Sequence, residues 1–336
     1  MNKIYSLICV AVLCTIHVFS QQATKYIIRD GSEITLSPQE LAKKLPSDIK
    51  PLFNYAIRDA SICIGPDSTY YLTGTTGDPD MWAVTSDIKI WKSKDLRNWL
   101  PVVTVPRTRT TVWNADRDGG EWTKPIMLRD GAPFRPLWAP EIHYFNNNFW
   151  LTYSFPFLGN SILKSTTGKA EGPYISAIIP NKPLNTDIDA SLFCDDDGKV
   201  YSVMNNGKIC RMKDDMTGPA EEYRPIVPSN HRRVGFEGGS MFKANGKYYF
   251  IAAEFVNGEY HCMAAMADSI YGPYGPRYLA IPNAGHNVVF KDLKGNWWST
   301  FFGNDNKAPF KERPAIVRIL FDKEGQIYPA SKNFPN

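Results

Sequence analysis

The sequence has 336 residues, of which 43% are hydrophobic and 21% charged, and its formal net charge is +4. The apolar fraction excludes a wholly disordered chain. This positive charge is spread over the whole sequence and no run of Lys or Arg concentrates it, so a nucleic-acid-binding surface is excluded. With 24 Gly and 25 Pro the chain is unsuited to long helices, and 13% of its residues are aromatic. We therefore expect a strand-rich globular enzyme or binding protein.

Residues 1–20 have the pattern of a secretory signal peptide. Lys3 supplies a positive charge, residues 4–19 are almost continuously apolar, and a small residue precedes the expected cleavage between Ser20 and Gln21. The apolar run is shorter than the roughly 20 residues of a spanning helix, so no membrane insertion is expected. A lipoprotein anchor at Cys14 is the weaker alternative, because a bulky residue precedes it. We expect export to the periplasm or to the cell exterior.

Cleavage at this point leaves four cysteines, which are Cys63, Cys194, Cys210 and Cys262. Their spacing fits no zinc or CxxC pattern, and each lies in an apolar stretch. We predict buried free thiols, and one disulfide pairing stays open as the alternative.

Residues 21–53 form an N-terminal extension that we expect to pack on the domain that follows, residues 54–336. The segment Ser37-Pro38-Gln39-Glu40 is a capping box with proline at the first helical position. It predicts a short helix that ends before Pro46.

The remainder of the chain repeats. Strand starts that carry aromatic residues recur about every 50 residues, each after a turn-forming segment, and they begin at Tyr70, Phe149, Val200, Tyr248 and Trp297. A period near 50 residues is typical of propeller blades, each made of about four short strands. The sequence therefore predicts an all-β fold, a five-bladed β-propeller with a short N-terminal helical extension. The longer first interval predicts an insertion between Thr104 and Gly131.

One set of positions is expected to meet at the propeller axis. Counting back eleven residues from each strand start gives Asp59, Trp138, Asp189, Glu237 and His286. Each precedes a short apolar stretch that reads as the first, innermost strand of its blade, and innermost strands line the central channel. We therefore expect these side chains to form a ring at one channel mouth. In the second blade Glu141 is the alternative equivalent.

Two Asp and one Glu in one ring suit the hydrolysis of a glycosidic bond. Clustered carboxylates repel one another, so their pKa values separate and one group stays protonated while another is ionised. An acid and a base about 6.5–9.5 Å apart leave room for a water, which is the inverting geometry. The sequence has no G-x-S-x-G, dinucleotide-binding, P-loop or H-E-x-x-H pattern, so those chemistries are not indicated.

The motifs together resemble glycoside hydrolase family 43. They are Arg58-Asp59-Ala60-Ser61-Ile62, Trp138-Ala139-Pro140-Glu141, Ile188-Asp189-Ala190-Ser191, Phe236-Glu237-Gly238 and Gly285-His286. The resemblance spans about residues 54 to 328. It implies a five-bladed propeller, inversion at the anomeric carbon, and action on plant polysaccharides that contain arabinose, xylose or galactose.

The resemblance also implies roles for single residues. Asp59 matches the general base, Glu237 the general acid, and Asp189 the third carboxylate that raises the pKa of the acid and orients it. His286 matches a histidine near the channel that is sometimes associated with a water-coordinated calcium, and Arg313 matches a substrate-contacting arginine. No cofactor is required, although a structural calcium in the channel is an open alternative.

Further candidates for substrate binding come from the residues alone. Trp138 is expected either to hold a sugar ring or to pack within its blade, and Arg58 to pair with a carboxylate in the funnel or to face solvent. Trp82 and Trp113 lie in loop-like sequence beside the first blade and are candidate walls of the site, with ordinary packing as the alternative.

The leading function is an inverting α-L-arabinofuranosidase. The alternatives are a β-xylosidase, a galactosidase or galactofuranosidase of the same fold, and a non-catalytic carbohydrate-binding propeller. Exo-action is favoured, on the hypothesis that the insertion after the first blade blocks one end of the funnel. The expected partner is an oligosaccharide or polysaccharide, with no nucleic acid, and no oligomeric state is favoured.

Overall fold

The computed structural model describes residues 23–77, 85–104 and 109–332. Within these residues the chain forms five four-stranded antiparallel sheets arranged as a five-bladed β-propeller, as the repeat predicts. The predicted signal peptide and Trp82 lie outside the described residues.

The N-terminal extension contains a hairpin and one helical turn. Its elements are β1 (Thr24–Ile27), β2 (Glu33–Leu36) and α1 (Pro38–Leu41). The predicted capping box is present, because Ser37 accepts a hydrogen bond from the Glu40 amide and Glu40 accepts one from the Ser37 amide. The helix ends at Leu41, before Pro46, as expected, whereas the preceding hairpin has no counterpart in the sequence prediction.

The first blade and the segment after it are the least regular. The blade holds β3 (Ile57–Ile64), β4 (Tyr70–Thr76), β6 (Trp91–Ser93) and β7 (Leu100–Pro101). Outside it lie β5 (Asp87–Lys89), β8 (Thr111–Asn114), α2 (Ala115–Asp118), a 3₁₀ turn (Glu121–Thr123), β9 (Ile126–Met127) and β10 (Pro133–Phe134). The predicted insertion therefore has its own small elements, of which β8 pairs with β5 and β9 pairs with β10.

The other four blades each take four consecutive strands. The second holds β11 (Trp138–Phe145), β12 (Asn148–Phe155), β13 (Gly159–Ser165) and β14 (Tyr174–Ser176). The third holds β15 (Ala190–Cys194), β16 (Val200–Met204), β17 (Lys208–Arg211) and β18 (Arg224–Pro225). The fourth holds β19 (Glu237–Ala244), β20 (Lys247–Val256), β21 (Glu259–Ala267) and β22 (Tyr278–Ile281). The fifth holds β23 (Val289–Lys291), β24 (Trp297–Phe302), β25 (Pro314–Phe321) and β26 (Ile327–Pro329).

The aromatic strand starts are the first or second residue of the second strand in every blade, and the first strands face the axis. Neighbouring innermost strands contact one another in the order β3, β11, β15, β19 and β23, and β24 packs on β3 to close the ring. Two of the hairpin turns between first and second strands are Asn146-Asn147 and Asn245-Gly246, in which both residues have positive φ. Such two-residue turns match the right-handed twist of the flanking strands.

Apolar side chains fill the spaces between blades. One cluster joins blades three and four and includes Val203, Ile209 and Met263; Ile28 and Leu36 of the N-terminal extension belong to the same cluster. Further clusters lie at each of the other blade junctions. Full burial of such a side chain contributes about 1.5–3 kcal/mol, so the extension is held by the same force as the blades.

Cys63, Cys194, Cys210 and Cys262 are free thiols, which confirms the prediction for the described residues. The predicted burial is confirmed for Cys210 and Cys262, whereas Cys63 and Cys194 are only half-buried. Asp195 begins a tight turn, in which its amide donates to the Lys199 carbonyl and its carbonyl accepts the Gly198 amide. In the described part of the chain, no helix combines the length and the apolar character that crossing a membrane requires.

Candidate active site

A cavity of about 290 Å³ opens at the end of the channel where the innermost strands begin. It is lined by Arg29, Arg58, Asp59, Thr75, Trp138, Ile188, Asp189, Glu237, Phe255, His286 and Asn304. The structure thus brings together the five ring residues predicted from the repeat, together with Arg58. They come from all five blades.

The backbone gives each innermost strand the same irregular start. Residues with left-handed φ stand there in every blade, namely Asp59 (56°), Ala139 (46°), Asp189 (55°), Gly238 (62°) and His286 (53°). In blades one, two and four this residue sits in a β-bulge, where the pairing with the second strand shifts. Bulges re-aim side chains and are frequent beside active sites.

This register corrects the sequence-based ring by one residue in two blades. The structural equivalents of Asp59 are Ala139 and Gly238, whereas Trp138 and Glu237 lie one residue earlier, as Arg58 does. Glu141, the alternative in the second blade, is buried and pairs across the sheet with Thr152. It therefore matches neither position, although its side chain lies 3.1 Å from His143.

Hydrogen bonds link the left-handed residues to the preceding blade. The Ala139 amide donates to the Thr75 hydroxyl at 2.7 Å, and the Asp189 amide donates to the Ser154 hydroxyl at 2.8 Å. The Gly238 amide donates to Oδ2 of Asp189 at 2.9 Å. The mouth of the channel is thus held together blade to blade, which fixes the carboxylates relative to one another.

Asp59 is held on both carboxylate oxygens. The Thr75 hydroxyl donates to Oδ2 at 2.6 Å, and Nδ1 of His286 lies 3.1 Å from Oδ1. Burial lowers the pKa of His286, but the charges of Asp59, Asp189, Glu237 and Glu141 outweigh this effect and raise it overall. The carboxylates of the ring therefore favour the protonated imidazole, whose positive charge opposes theirs.

Glu237 and Asp189 both have raised pKa values. Burial and the charge of Asp189 raise the pKa of Glu237 from 4.5 to about 7, against the charge of His286 and a hydrogen bond from Tyr260. That bond runs from the phenol Oη to Oε1 of Glu237 at 2.8 Å. Burial raises the pKa of Asp189, the charge of His286 lowers it, and the charge of Asp59 raises it again. Glu237 is therefore a carboxyl group that keeps a proton near neutral pH and gives it up readily.

The family model for glycosyl hydrolases family 43 matches residues 49–327. The chain belongs to this family. Its members hydrolyse O-glycosyl bonds with inversion, and the raised pKa of Glu237 in a ring of carboxylates is the arrangement that such an acid–base reaction requires.

Relatives within family 43 differ in the sugar they act on. A β-D-galactofuranosidase of Aspergillus niger is 26% identical over 72% of this chain and 73% of its own length. A xylosidase/arabinosidase of Humicola insolens is 29% identical over 67% of this chain and 40% of its own length. The GH43 BlXynB structure from Bacillus licheniformis superposes with a TM-score of 0.65 at 22% identity, covering 86% of this chain and 57% of that one. This chain therefore spans about half the length of the latter two relatives.

The remaining residues predicted to bind substrate in this family 43 protein lie at different positions relative to the cavity. Arg58 pairs with Glu312 at 3.1 Å and lies 4.9 Å over the Phe302 ring, at the edge of the cavity. Arg313 is not among the lining residues, because its guanidinium lies over Phe310 at 5.4 Å. Trp113 is buried and packs on Tyr153, so it is a core residue and not a wall of the site.

Six residues at the site were not predicted, namely Arg29, Thr75, Ile188, Phe255, Tyr260 and Asn304. Thr75 and Tyr260 lie on second and third strands, and the count along the chain addressed only first strands. Phe255 lies near the end of the long strand β20. Arg29 comes from the N-terminal extension, outside the repeat. None of the described residues of the insertion between Thr104 and Gly131 lines the cavity.

The described residues do not fit a metal site made of side chains. Across 23–77, 85–104 and 109–332, no group of three or more His, Cys, Asp or Glu is placed to hold a metal ion. Nδ1 of His286 faces Asp59. A calcium held through water beside His286 stays the open alternative.

Proposed function

We propose that this protein removes terminal sugars from plant oligosaccharides or polysaccharide side chains, with Asp59 as general base and Glu237 as general acid. Asp59 takes a proton from a water, whose oxygen bonds to the anomeric carbon as the glycosidic bond breaks. Glu237 gives its proton to the departing oxygen, so the products are a free sugar of inverted configuration and a shortened chain. The observation that carries the proposal is the pKa of about 7 at Glu237, in the same cavity as Asp59.

Asp189 acts on the acid from beside it. Its charge raises the pKa of Glu237, and its Oδ2 accepts the amide of Gly238, the next residue in the chain. Both effects require that Asp189 stay beside Glu237. The proposed role is therefore to hold the acid protonated and in position, and not to bond to the substrate.

Exo-action is supported by the size of the site. The cavity of about 290 Å³ lies just below the usual range for ligand sites, about 300–1,000 Å³. Such a pocket encloses few sugar units, and Arg29 of the N-terminal extension is among the residues that line it. Within this class we propose α-L-arabinofuranosidase activity first, in keeping with the arabinosidase among the relatives.

The enzymatic alternatives are β-xylosidase and galactosidase or galactofuranosidase; the relatives include a xylosidase/arabinosidase and a β-D-galactofuranosidase. A carbohydrate-binding propeller without catalysis is disfavoured, because a binder has no use for a buried acid whose pKa is raised to about 7. We also propose residues 54–336 as the catalytic domain, 21–53 as its extension, and export after removal of residues 1–20.

The test is a screen of residues 21–336 against arabino-, xylo- and galacto-configured nitrophenyl glycosides and oligosaccharides. Release of arabinose from a terminal position is the expected result, and proton NMR of the fresh product should show the inverted anomer. Glu237→Gln has the same shape without the proton and should abolish turnover of natural glycosides while keeping weak binding. Retained turnover in this variant, or a retained anomer, contradicts the assignment. Binding without release by the wild type would favour the non-catalytic alternative.

A further inference from the structure

The N-terminal hairpin reaches the active-site cavity. Strands β1 and β2 lie outside the five blades, and an isolated bridge between Ile28 and Val256 attaches the hairpin to the end of β20. The next residue, Arg29, lines the cavity. The extension therefore does more than cover the core between blades three and four, because it adds a charged side chain to the site.

Arg29 stands on the side of the general acid. Its guanidinium lies 4.7 Å over the ring of Phe236, the residue before Glu237. Phe236 in turn stacks on Phe255 with ring centroids 5.6 Å apart, and Phe255 lines the cavity. A general acid lies beside the departing glycosidic oxygen. The residues around Glu237 on the side away from the enclosed sugar therefore face the leaving-group sugar.

The N–H donors of the Arg29 guanidinium are available to a ligand. Arg29 is exposed, and within the described residues it has no ion pair with a carboxylate. An arginine offers five N–H donors in a fixed plane, and the hydroxyls of a sugar are suitable acceptors. Its stacking on Phe236 orients this plane without using those donors.

Asp30 fixes the hairpin next to this arginine. Oδ2 of Asp30 accepts from Arg232 and lies 3.2 Å from Arg233, while Oδ1 accepts the Ser32 amide at 3.0 Å. Arg233 also lies 3.3 Å from Glu254, which is completely buried. Through this chain of ion pairs the hairpin is tied to the interior of blade four. Arg29 is thereby held at one place on the rim.

We propose that Arg29 binds hydroxyl groups of the leaving-group sugar, and that Asp30 is a positioning residue that holds Arg29 there. This assignment rests on the proposed exo-glycosidase function. It makes the N-terminal extension part of the substrate site, with an effect on the departing portion of the substrate and not on the sugar enclosed in the cavity.

The first experiment separates these two portions. For wild type and Arg29→Ala, kcat/KM is measured on the oligosaccharide that the wild type cleaves, and Ki is measured for the released monosaccharide as competitive inhibitor. Loss of a charged hydrogen bond predicts a fall in kcat/KM of about tenfold to a hundredfold. The Ki should stay within about twofold, because the monosaccharide occupies only the enclosed part of the cavity. Equal weakening of both constants would overturn the assignment of Arg29.

The second experiment tests the positioning role. Asp30→Asn should reproduce the selective fall in kcat/KM, and in the double variant with Arg29→Ala it should add nothing, since both changes remove the same contact. Lys25→Ala is the matched control, because it breaks an exposed ion pair with Glu33 on the same hairpin. It should leave both constants unchanged.

A full additive effect in the double variant would overturn the role of Asp30. Should Asp30→Asn fold poorly in thermal melts, Arg232→Ala removes one exposed partner of Asp30 and should give a smaller change of the same kind. A wild type that cleaves no glycoside in the screen would refute the proposed function, whereas parallel changes in Ki and kcat/KM refute only the inference on Arg29.

Discussion

The pKa of Glu237 gives the sharpest test of the site. Burial and the charge of Asp189 raise it, while the hydrogen bond from Tyr260 lowers it. Two isosteric changes should therefore move it in opposite directions. Asp189→Asn removes a negative charge and keeps an oxygen that accepts the Gly238 amide, so the pKa of Glu237 should fall. Tyr260→Phe removes a donor to Glu237, so the pKa should rise.

The structure sets the scale of these changes. The rise from 4.5 to about 7 at Glu237 corresponds to about 3 kcal/mol, at 1.36 kcal/mol for each pKa unit. With a pKa near 7 about half of the enzyme holds the acid proton at pH 7, compared with about 0.3% for an ordinary Glu. Because Asp189 is the second largest cause after burial, its neutralisation should lower the pKa by about one unit.

The assay is kcat/KM on the natural oligosaccharide between pH 4 and pH 9. The protonated form of Glu237 is the active one, so activity is kept below about pH 7 and lost as the pH rises through that value. The midpoint of this alkaline limb should move to lower pH in Asp189→Asn and to higher pH in Tyr260→Phe.

A dinitrophenyl glycoside of the same sugar serves as control. Its leaving group needs no proton, so the alkaline limb should disappear with this substrate in all three proteins. If both variants move the limb in the same direction, or if neither does, Glu237 is not the group that titrates and the electrostatic reasoning fails.

Three further outcomes are expected. Gly238→Ala places a methyl 2.9 Å from the His286 ring at a φ of +62°, and Gly258→Ala has similar backbone strain with nothing within 4 Å. Both variants should lose about 1–2 kcal/mol of unfolding free energy, measured with urea. Only Gly238→Ala should also show a fall of tenfold or more in kcat/KM. Equal activities of the two variants would show that the contact with His286 is unimportant. Arg277 and Glu254 form a buried ion pair at 3.5 Å. Glu254→Gln leaves the Arg277 guanidinium without this counter-charge and should cost about 3–5 kcal/mol, so a loss under 1 kcal/mol in the same assay would contradict the pairing. Dialysis against EDTA should leave kcat/KM unchanged, and a loss restored by calcium would show that the channel needs the ion.

The blade count follows from the sequence because its cause is local. Each blade repeats a hairpin whose second strand starts with aromatic residues, and a turn segment must precede it. Five such signals therefore give five blades. The same regularity brings Asp59, Asp189 and Glu237 to one axis, since equivalent strands of a propeller surround it.

The exact register could not be predicted by counting, because the hairpins differ in length. In the first blade Ile64 pairs with Tyr70 across a five-residue loop, whereas in the fourth Ala244 pairs with Lys247 across two residues. A constant count of eleven residues backwards therefore passes the left-handed position by one residue in blades two and four. The count identified Glu237 only because this residue immediately precedes Gly238, the left-handed residue of blade four.

Residues outside the repeated strand had no signal in the sequence. Tyr260 contacts Glu237 from a third strand, and Arg29 comes from a hairpin whose strands are only four residues long. Such contacts depend on how the chain packs in three dimensions, which periodicity does not encode. The prediction that the insertion shapes the cavity did not identify Arg29, because it considered only the first blade.

The left-handed residues at the channel mouth divide the rim into fixed and exchangeable parts. Asp59, Asp189 and His286 are restricted by their backbone conformation as well as by their chemistry, because few side chains tolerate positive φ. Arg58 and Trp138 precede such residues on ordinary strand backbone and also face the cavity. New sugar preferences would therefore arise most readily at these two sites, where side chains can be swapped in the laboratory or by natural variation while the hydrolytic apparatus beside them is preserved.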